Sequence, residues 1–181
     1  MSLVVSRKPI KKPAYGDTLT VPATDRKSIG EALGRIVSGA FIVTTKHKEQ
    51  STGFLASWVQ QASFDPPMIS LAVGESRAIK PLLDAGAPFV VNVISETDQT
   101  LVSHFAKGFE LKADAFSGVD MTSGTSGCPI LNDAIAYIEC EFVSKIRSGD
   151  HTVYFGKVVA GAAGDTSEKP QVRFRRSGFS Y

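Results

Sequence analysis

Apolar and polar positions alternate along much of this chain with the period of a β-strand. Residues 51–73 open with the apolar run Gly53, Phe54, Leu55, Ala56 and pass through Ser57, Gln60, Gln61 and Ser63. They then meet Asp65, Pro66 and Pro67 before a second apolar run. Two prolines oppose regular ladder pairing, so this stretch reads as a strand, a polar exposed crossing and a second strand. Ahead of it, residues 40–45 are β-prone and the polar turn at 46–50 closes a hairpin. Residues 88–93 are β-branched and apolar, as in a central strand. Over 134–146, Ile138, Cys140 and Phe142 alternate with Glu139, Glu141 and Val143, which predicts a long antiparallel strand with one buried and one wet face. Ser148, Gly149 and Asp150 make the turn into a returning strand over 152–161.

Helical spacing is confined to three places. Ser28 and Glu31 form a capping-box pair ahead of Ile29, Ala32, Leu33, Ile36 and Val37, a face expected to lie in the core, and Gly39 is expected to end that helix. A second helix begins near Pro81, which suits a first turn. The third is capped by Ser95 or Asp98 and buries Leu101, Val102 and Phe105. Residues 108–133, rich in Gly, Ser, Thr and Asp, read as a long loop of the kind that covers a site. The sum is an α+β fold dominated by β: a closed or split antiparallel barrel of six or more strands with flanking helices.

Composition narrows the class without naming a chemistry. The 181 residues are 43% hydrophobic and 21% charged, which fits one well-buried domain. A net charge of +2 gives no basis for nucleic-acid binding. No apolar run reaches a membrane span, and the basic N-terminus lacks the apolar core of a signal peptide, so the expectation is a cytoplasmic protein without membrane attachment. Residues 1–27 form a basic arm and 28–181 the domain. Cys128 and Cys140, far apart and without a CxxC partner, indicate neither a disulfide framework nor a metal site.

One stretch reads equally as a capped surface helix with solvated charges and as a ligand site. Ser76, Arg77 and Lys80 gather at the start of the second helix, where free N–H groups, a hydroxyl and two cations suit a phosphate.

The order Gly53, Ala56, Ser57, Ser63, Asp65, Pro66, Pro67, together with Gly149, Asp150, His151, resembles the flavin reductase family with the FMN-binding split-barrel fold. It is most similar to the reductase domain of cyanobacterial diflavin flavoproteins. Where the family usually carries Ser-Phe, this chain has Trp58 and Val59. The resemblance implies FMN against Leu55, Ala56, Ser57, Trp58, Ser103 and Phe105, with its phosphate at Ser76, Arg77 and Lys80. It implies NADH or NADPH as co-substrate, His151 placing the nicotinamide, and Asp150, Arg175 and Tyr181 on the substrate side. Hydride transfer needs no general acid or base, which accords with the lack of a catalytic triad or paired carboxylates. A homodimer is implied as well, with a redox protein as a further partner. Two other readings stay open here: a non-catalytic FMN electron-transfer module serving such a partner, and an oligomeric FMN-storage protein. His104 matches no family requirement and reads as a surface histidine.

Overall fold

The computed structural model describes residues 26–179. The predicted arm lies outside these except for Arg26 and Lys27, and Tyr181 lies outside them too. The helices are α1 (Arg26–Leu33), α2 (Lys80–Asp84) and α3 (Gln99–Ala106). The strands are β1 (Ser38–Gly39), β2 (Phe41–His47), β3 (Gln50–Ala56), β4 (Val59–Phe64), β5 (Pro67–Gly74) and β6 (Phe89–Val93), followed by β7 (Met121–Ser123), β8 (Pro129–Leu131), β9 (Ala136–Ser148), β10 (His151–Ala163) and β11 (Val172–Arg173).

Seven strands form one antiparallel sheet in the order β3-β2-β6-β9-β10-β5-β4. Its two edge strands, β3 and β4, are consecutive in the chain, with only Ser57 and Trp58 between them. Three Cα steps span at most about 11 Å, so the sheet has to curl until its edges nearly meet. No ladder bridges them, and the barrel is split at Ser57 and Trp58.

Side-chain alternation sends neighbouring residues to two cores. Val43, Phe54, Leu71, Val73, Phe89, Val91, Cys140 and Tyr154 fill the barrel. Ile42, Ile94, Leu101, Val102, Phe105, Phe116 and Leu131 pack outside it, under α3 and the 108–133 segment. Strand β2, buried on both faces, separates them.

Four readings of the sequence are corrected. The polar crossing is the edge strand β4, paired with β5 through Val59–Leu71 and Phe64–Pro67. An edge strand wet on both faces carries no apolar alternation to betray it. Helix α1 starts at Arg26 and ends at Leu33, and Gly39 belongs to β1. Its apolar stripe is not core: Ile36 and Val37 are 60% and 55% exposed. What α1 packs against is the segment 175–179. Gly178 N–H donates to the Gly30 carbonyl at 2.7 Å, and a Cβ on Gly34 would lie 2.7 Å from the Arg175 carbonyl oxygen, so the glycines form the buried face.

The third correction is Glu139, assigned to a wet face but 1% exposed. The 108–133 segment folds over it, carrying its own β7–β8 hairpin. Thr125 and Ser126 each donate both a backbone N–H and a hydroxyl to the carboxylate. Burial pushes its pKa up, and these four bonds outweigh it, leaving the net shift downward. Lastly, His104 is a packing residue. Its Nε2 lies 2.9 Å from the Ala115 carbonyl oxygen and its ring rests on Phe105 and Phe109. No described helix is long and apolar enough to cross a membrane.

Candidate functional site

The split in the barrel organises the site. Trp58 is anchored there by its carbonyl, which accepts from the Ala72 N–H at 3.0 Å. Its ring centroid lies 4.7 Å from that of His151, and the Arg175 guanidinium stands 5.2 Å from it. His151 comes from the β9–β10 hairpin, whose turn uses Gly149 at a left-handed φ of 62°. Asp150 Oδ1 lies 2.8 Å from His151 Nδ1, and that hydrogen bond is the first cause holding the Asp150 carboxyl below its usual range. The turn is tied to the neighbouring loop through Glu75 N–H, which donates to the Asp150 carbonyl at 3.1 Å.

Three concavities adjoin this row. A groove of about 990 Å³ runs along the open face of the sheet, walled by Phe41, Ser57, Trp58, Met68, Ile138 and Arg175 and rimmed by Ile36, Val37 and Val172. A pocket of about 160 Å³ is enclosed by Leu55, Ala56, Ser57, Arg77, Phe105, Ala106, Arg173, Phe174 and Arg175. A third hollow, about 410 Å³, is lined by residues 52–54, Ser76, Arg77, Lys107 and Glu110 among others. Arg77 borders both the pocket and the hollow. Gly74 brings Arg77 and His151 near each other: a Cβ built on it would be 3.7 Å from His151 Nε2 and 3.9 Å from Arg77 Cγ.

Six of the residues singled out from sequence therefore meet around one pocket: Leu55, Ala56, Ser57, Arg77, Phe105 and Arg175. Trp58, His151 and Asp150 stand beside them, and Ser76 lines the adjoining hollow. Lys80 does not join them. Its ammonium is bonded to Asp84 at 2.6 Å and lies 3.6 Å from Glu75, because Asp84 is one helical turn on and takes up the charge expected to serve a phosphate. The Asp84 bond is the main cause raising the Lys80 pKa. Ser103 is exposed on α3 and lines none of these spaces. Lys107 and Arg173 were not assigned to the site from the sequence. Each carried a signal: Lys107 directly follows Phe105 and Ala106, and Arg173 is two residues from Arg175, the spacing that points extended side chains the same way.

The unpartnered atoms fit an acceptor-rich ligand. Ser57 Oγ and Arg175 Nε are buried without a hydrogen-bond partner, on the wall between pocket and groove. A groove of this size matches the space small-molecule ligands occupy. Among the described residues no group of His, Cys, Asp and Glu is arranged to hold a metal. Burial pushes the Cys140 thiol up to about 12 and also raises that of Cys128, so both stay as thiols.

Comparison with known proteins agrees with this geometry. A family model described as flavin reductase like domain matches residues 33–180. The chain is 40% identical over 152 residues to diflavin flavoprotein A 1 of Synechocystis sp. (strain ATCC 27184 / PCC 6803 / Kazusa), covering 83% of this chain and 26% of that protein. It spans 26 to 30% of the length of the curated relatives it matches first. Among solved structures, the NADH:FAD oxidoreductase SgcE6 of Streptomyces globisporus C-1027 superposes with a TM-score of 0.75 at 26% identity, over 85% of this chain and 91% of that one. Flavin reductase HpaC, solved with NADP+, gives a TM-score of 0.70 at 30% identity, over 83% of this chain and 92% of that one.

Proposed function

The chain belongs to the flavin reductase like domain family, and on that premise we propose that it binds FMN and works as an NAD(P)H-dependent flavin reductase. The single observation that carries this reading is the convergence of Leu55, Ala56, Ser57, Arg77, Phe105 and Arg175 on one pocket, with the Trp58–His151 pair at its edge. FMN, when bound, supplies the hydride acceptor and the electron carrier.

The protein's part is binding, orientation and exclusion of water. The edge strand at Leu55 and Ala56 forms part of the pocket wall, and Phe105 adds apolar surface to it. Ser76, Arg77 and Lys107 hold the flavin phosphate in the adjoining hollow. Lys80, neutralised by Asp84 and Glu75, and Ser103, which lines no space, are left out of this reading. On the groove side, Trp58 is the stacking wall and Asp150 fixes the His151 ring through Nδ1. His151 then places a carboxamide of the nicotinamide, so that donor and acceptor meet without a proton transfer.

Replacing His151 with Ala is expected to leave FMN affinity nearly unchanged while slowing flavin bleaching by NADH or NADPH. The loss of one hydrogen bond accounts for up to about 10-fold and misplacement of the donor for up to about 100-fold. Dithionite, which needs no stacked nicotinamide, should bleach both proteins alike. Loss of FMN from the variant would make the histidine a flavin ligand instead.

A second reading follows from the similarity to a diflavin flavoprotein: an FMN electron-transfer module for a redox partner. It wins if neither nucleotide bleaches the wild-type flavin at a measurable rate. In both readings the protein is a homodimer, because the exposed Ile36, Val37 and Val172 rim an apolar groove that a second copy would cover. Sedimentation at micromolar concentration should give a dimer; an FMN-loaded monomer would remove this part of the reading.

A further inference from the structure

The hairpin that presents His151 runs past the strands on either side of it. Strand β6 pairs with β9 only as far as Phe89–Cys140, so residues 141–148 have β10 alone as a ladder partner among the described residues. Strand β5 pairs with β10 as far as Gly74–His151 and then leaves the ladder. A two-stranded tip of this kind is marginal by itself, so its last residues keep their place only where something ties them.

Glu75, the residue after Gly74, grips the tip at two points. Its backbone N–H donates to the Asp150 carbonyl at 3.1 Å, and its Oε1 accepts from the Thr152 hydroxyl at 2.7 Å. These contacts fall on the residues immediately before and after His151. Thr152 is 5% exposed, and the Lys80 ammonium lies 3.6 Å from Oε2, the other oxygen of the same carboxylate, so the side chain is held from both ends. The Thr152 bond is also the first cause keeping the Glu75 carboxyl below its usual range, so the acceptor is ionised at neutral pH. In the chain Glu75 is followed directly by Ser76 and Arg77, which line the hollow given to the flavin phosphate. Arg77 N–H donates to the Gly74 carbonyl at 3.0 Å and closes residues 74–77 into a turn. One residue therefore joins the loop that holds the flavin phosphate to the turn that carries His151.

We propose that Glu75 is a positioning residue for hydride transfer: it brackets His151 through Asp150 and Thr152 and fixes the ring relative to the flavin-phosphate loop. The inference rests on the reductase reading for what His151 does, and on the two bonds for the bracket itself. Glu75 acts only through His151, so its removal costs no more than removal of the ring.

FMN-loaded wild type, Glu75→Ala, Glu75→Gln and Thr152→Val are compared by FMN titration and by the limiting rate of flavin bleaching with NADH, NADPH and dithionite. Glu75→Ala should slow bleaching by the nucleotides about 10-fold, with FMN affinity and the dithionite rate unchanged. Thr152→Val, which keeps the shape and drops the hydroxyl, should lose as much, and it carries the comparison if Glu75→Ala does not fold. Glu75→Gln, whose amide oxygen still accepts that hydroxyl, should stay close to wild type. In a His151→Ala background Glu75→Ala should add nothing, because no ring remains to be placed. The ring-nitrogen NMR signals of His151, assigned with His151→Ala, give a readout independent of turnover. With no nucleotide present they should move in Glu75→Ala and Thr152→Val and stay in place in Glu75→Gln. Additive losses in the double variant, ring signals that stay in place in Glu75→Ala and Thr152→Val, or a fall in FMN affinity as large as the fall in rate would each overturn the proposal. If neither nucleotide bleaches the wild-type flavin, the hydride-transfer role falls with the reductase reading, and the ring signals decide the bracket alone.

Discussion

Arg77 and Lys80 are three residues apart on the same loop and helix start, and by sequence they are equivalent cations. Their surroundings divide them. Lys80 sits in a closed circuit: Asp84 accepts from Lys80, from Lys145 and from the Tyr154 hydroxyl at 2.9 Å, while Glu75 accepts from the Thr152 hydroxyl at 2.7 Å and faces Lys80. Every charge there has its opposite, and the circuit ties α2 to β9 and β10. Arg77, with Arg173 and Arg175, borders a pocket with no acid in its walls. Matched charge marks a part of the molecule that holds shape. Unmatched half-buried charge marks a part that waits for a ligand.

The largest expected effect comes from exchanging the two regions' fates by mutation. Arg77→Ala removes the guanidinium shared by pocket and hollow, and FMN affinity should drop by about 10- to 150-fold, since a charge-assisted bond contributes roughly 1.5–3 kcal/mol. Urea midpoints should barely move. Lys80→Ala should do the reverse, lowering stability by about 1 kcal/mol while FMN titrations overlay those of the wild type. Fluorescence titration and urea unfolding of both variants decide the matter. Should Lys80→Ala lose FMN as severely as Arg77→Ala, the division between the regions is wrong and the sequence-based phosphate site stands as first read.

Why that division was hard to see in the sequence is itself physical. The strands that bury one or both faces announce themselves by alternation, as 88–93 and 134–146 do, and the Gly149 turn marks its own hairpin. Pocket-lining Leu55, Ala56, Ser57 and Arg77 were legible because the family resemblance points to them. Strand β4 was not, because an edge strand exposed on both faces shows Gln60 and Gln61 where alternation would need an apolar residue. The burial of Glu139 depends on Thr125 and Ser126, more than ten residues away, and no local pattern reports such a partner. For α1 the pattern misled: Ile29, Leu33, Ile36 and Val37 look like a core stripe, yet the segment 175–179 lies against Gly30 and Gly34. At Lys80 the ion pair itself was legible. Asp84 stands four residues on, a spacing that pairs charges on a helix, so the neutralised lysine was written in the sequence and was outweighed by its nearness to Ser76 and Arg77.

Smaller in size, but a direct reading of the matched region, is its response to acid. Burial alone would raise the Asp84 pKa, but bonds from Lys145, Lys80 and Tyr154 outweigh it and hold the carboxyl at about 2, against 3.8 for the free group. A folded-state pKa below the unfolded one means that the ionised carboxylate stabilises the fold. That contribution is complete above about pH 4 and is lost as pH falls through about 2. A shift of this size corresponds to roughly 2 kcal/mol, and because the side chain is 31% exposed, solvent screening brings it closer to about 1 kcal/mol. Asp84→Asn keeps the shape and cannot ionise, so it should be less stable than wild type by about that amount at pH 7, and the gap should close between pH 4 and pH 2 in urea unfolding. Other carboxylates titrate over the same range in both proteins and cancel in the difference. A gap that stays constant down to pH 2 would mean that Asp84 contributes through packing and neutral hydrogen bonds, and the matched circuit would then be a geometric feature of α2 rather than an electrostatic one.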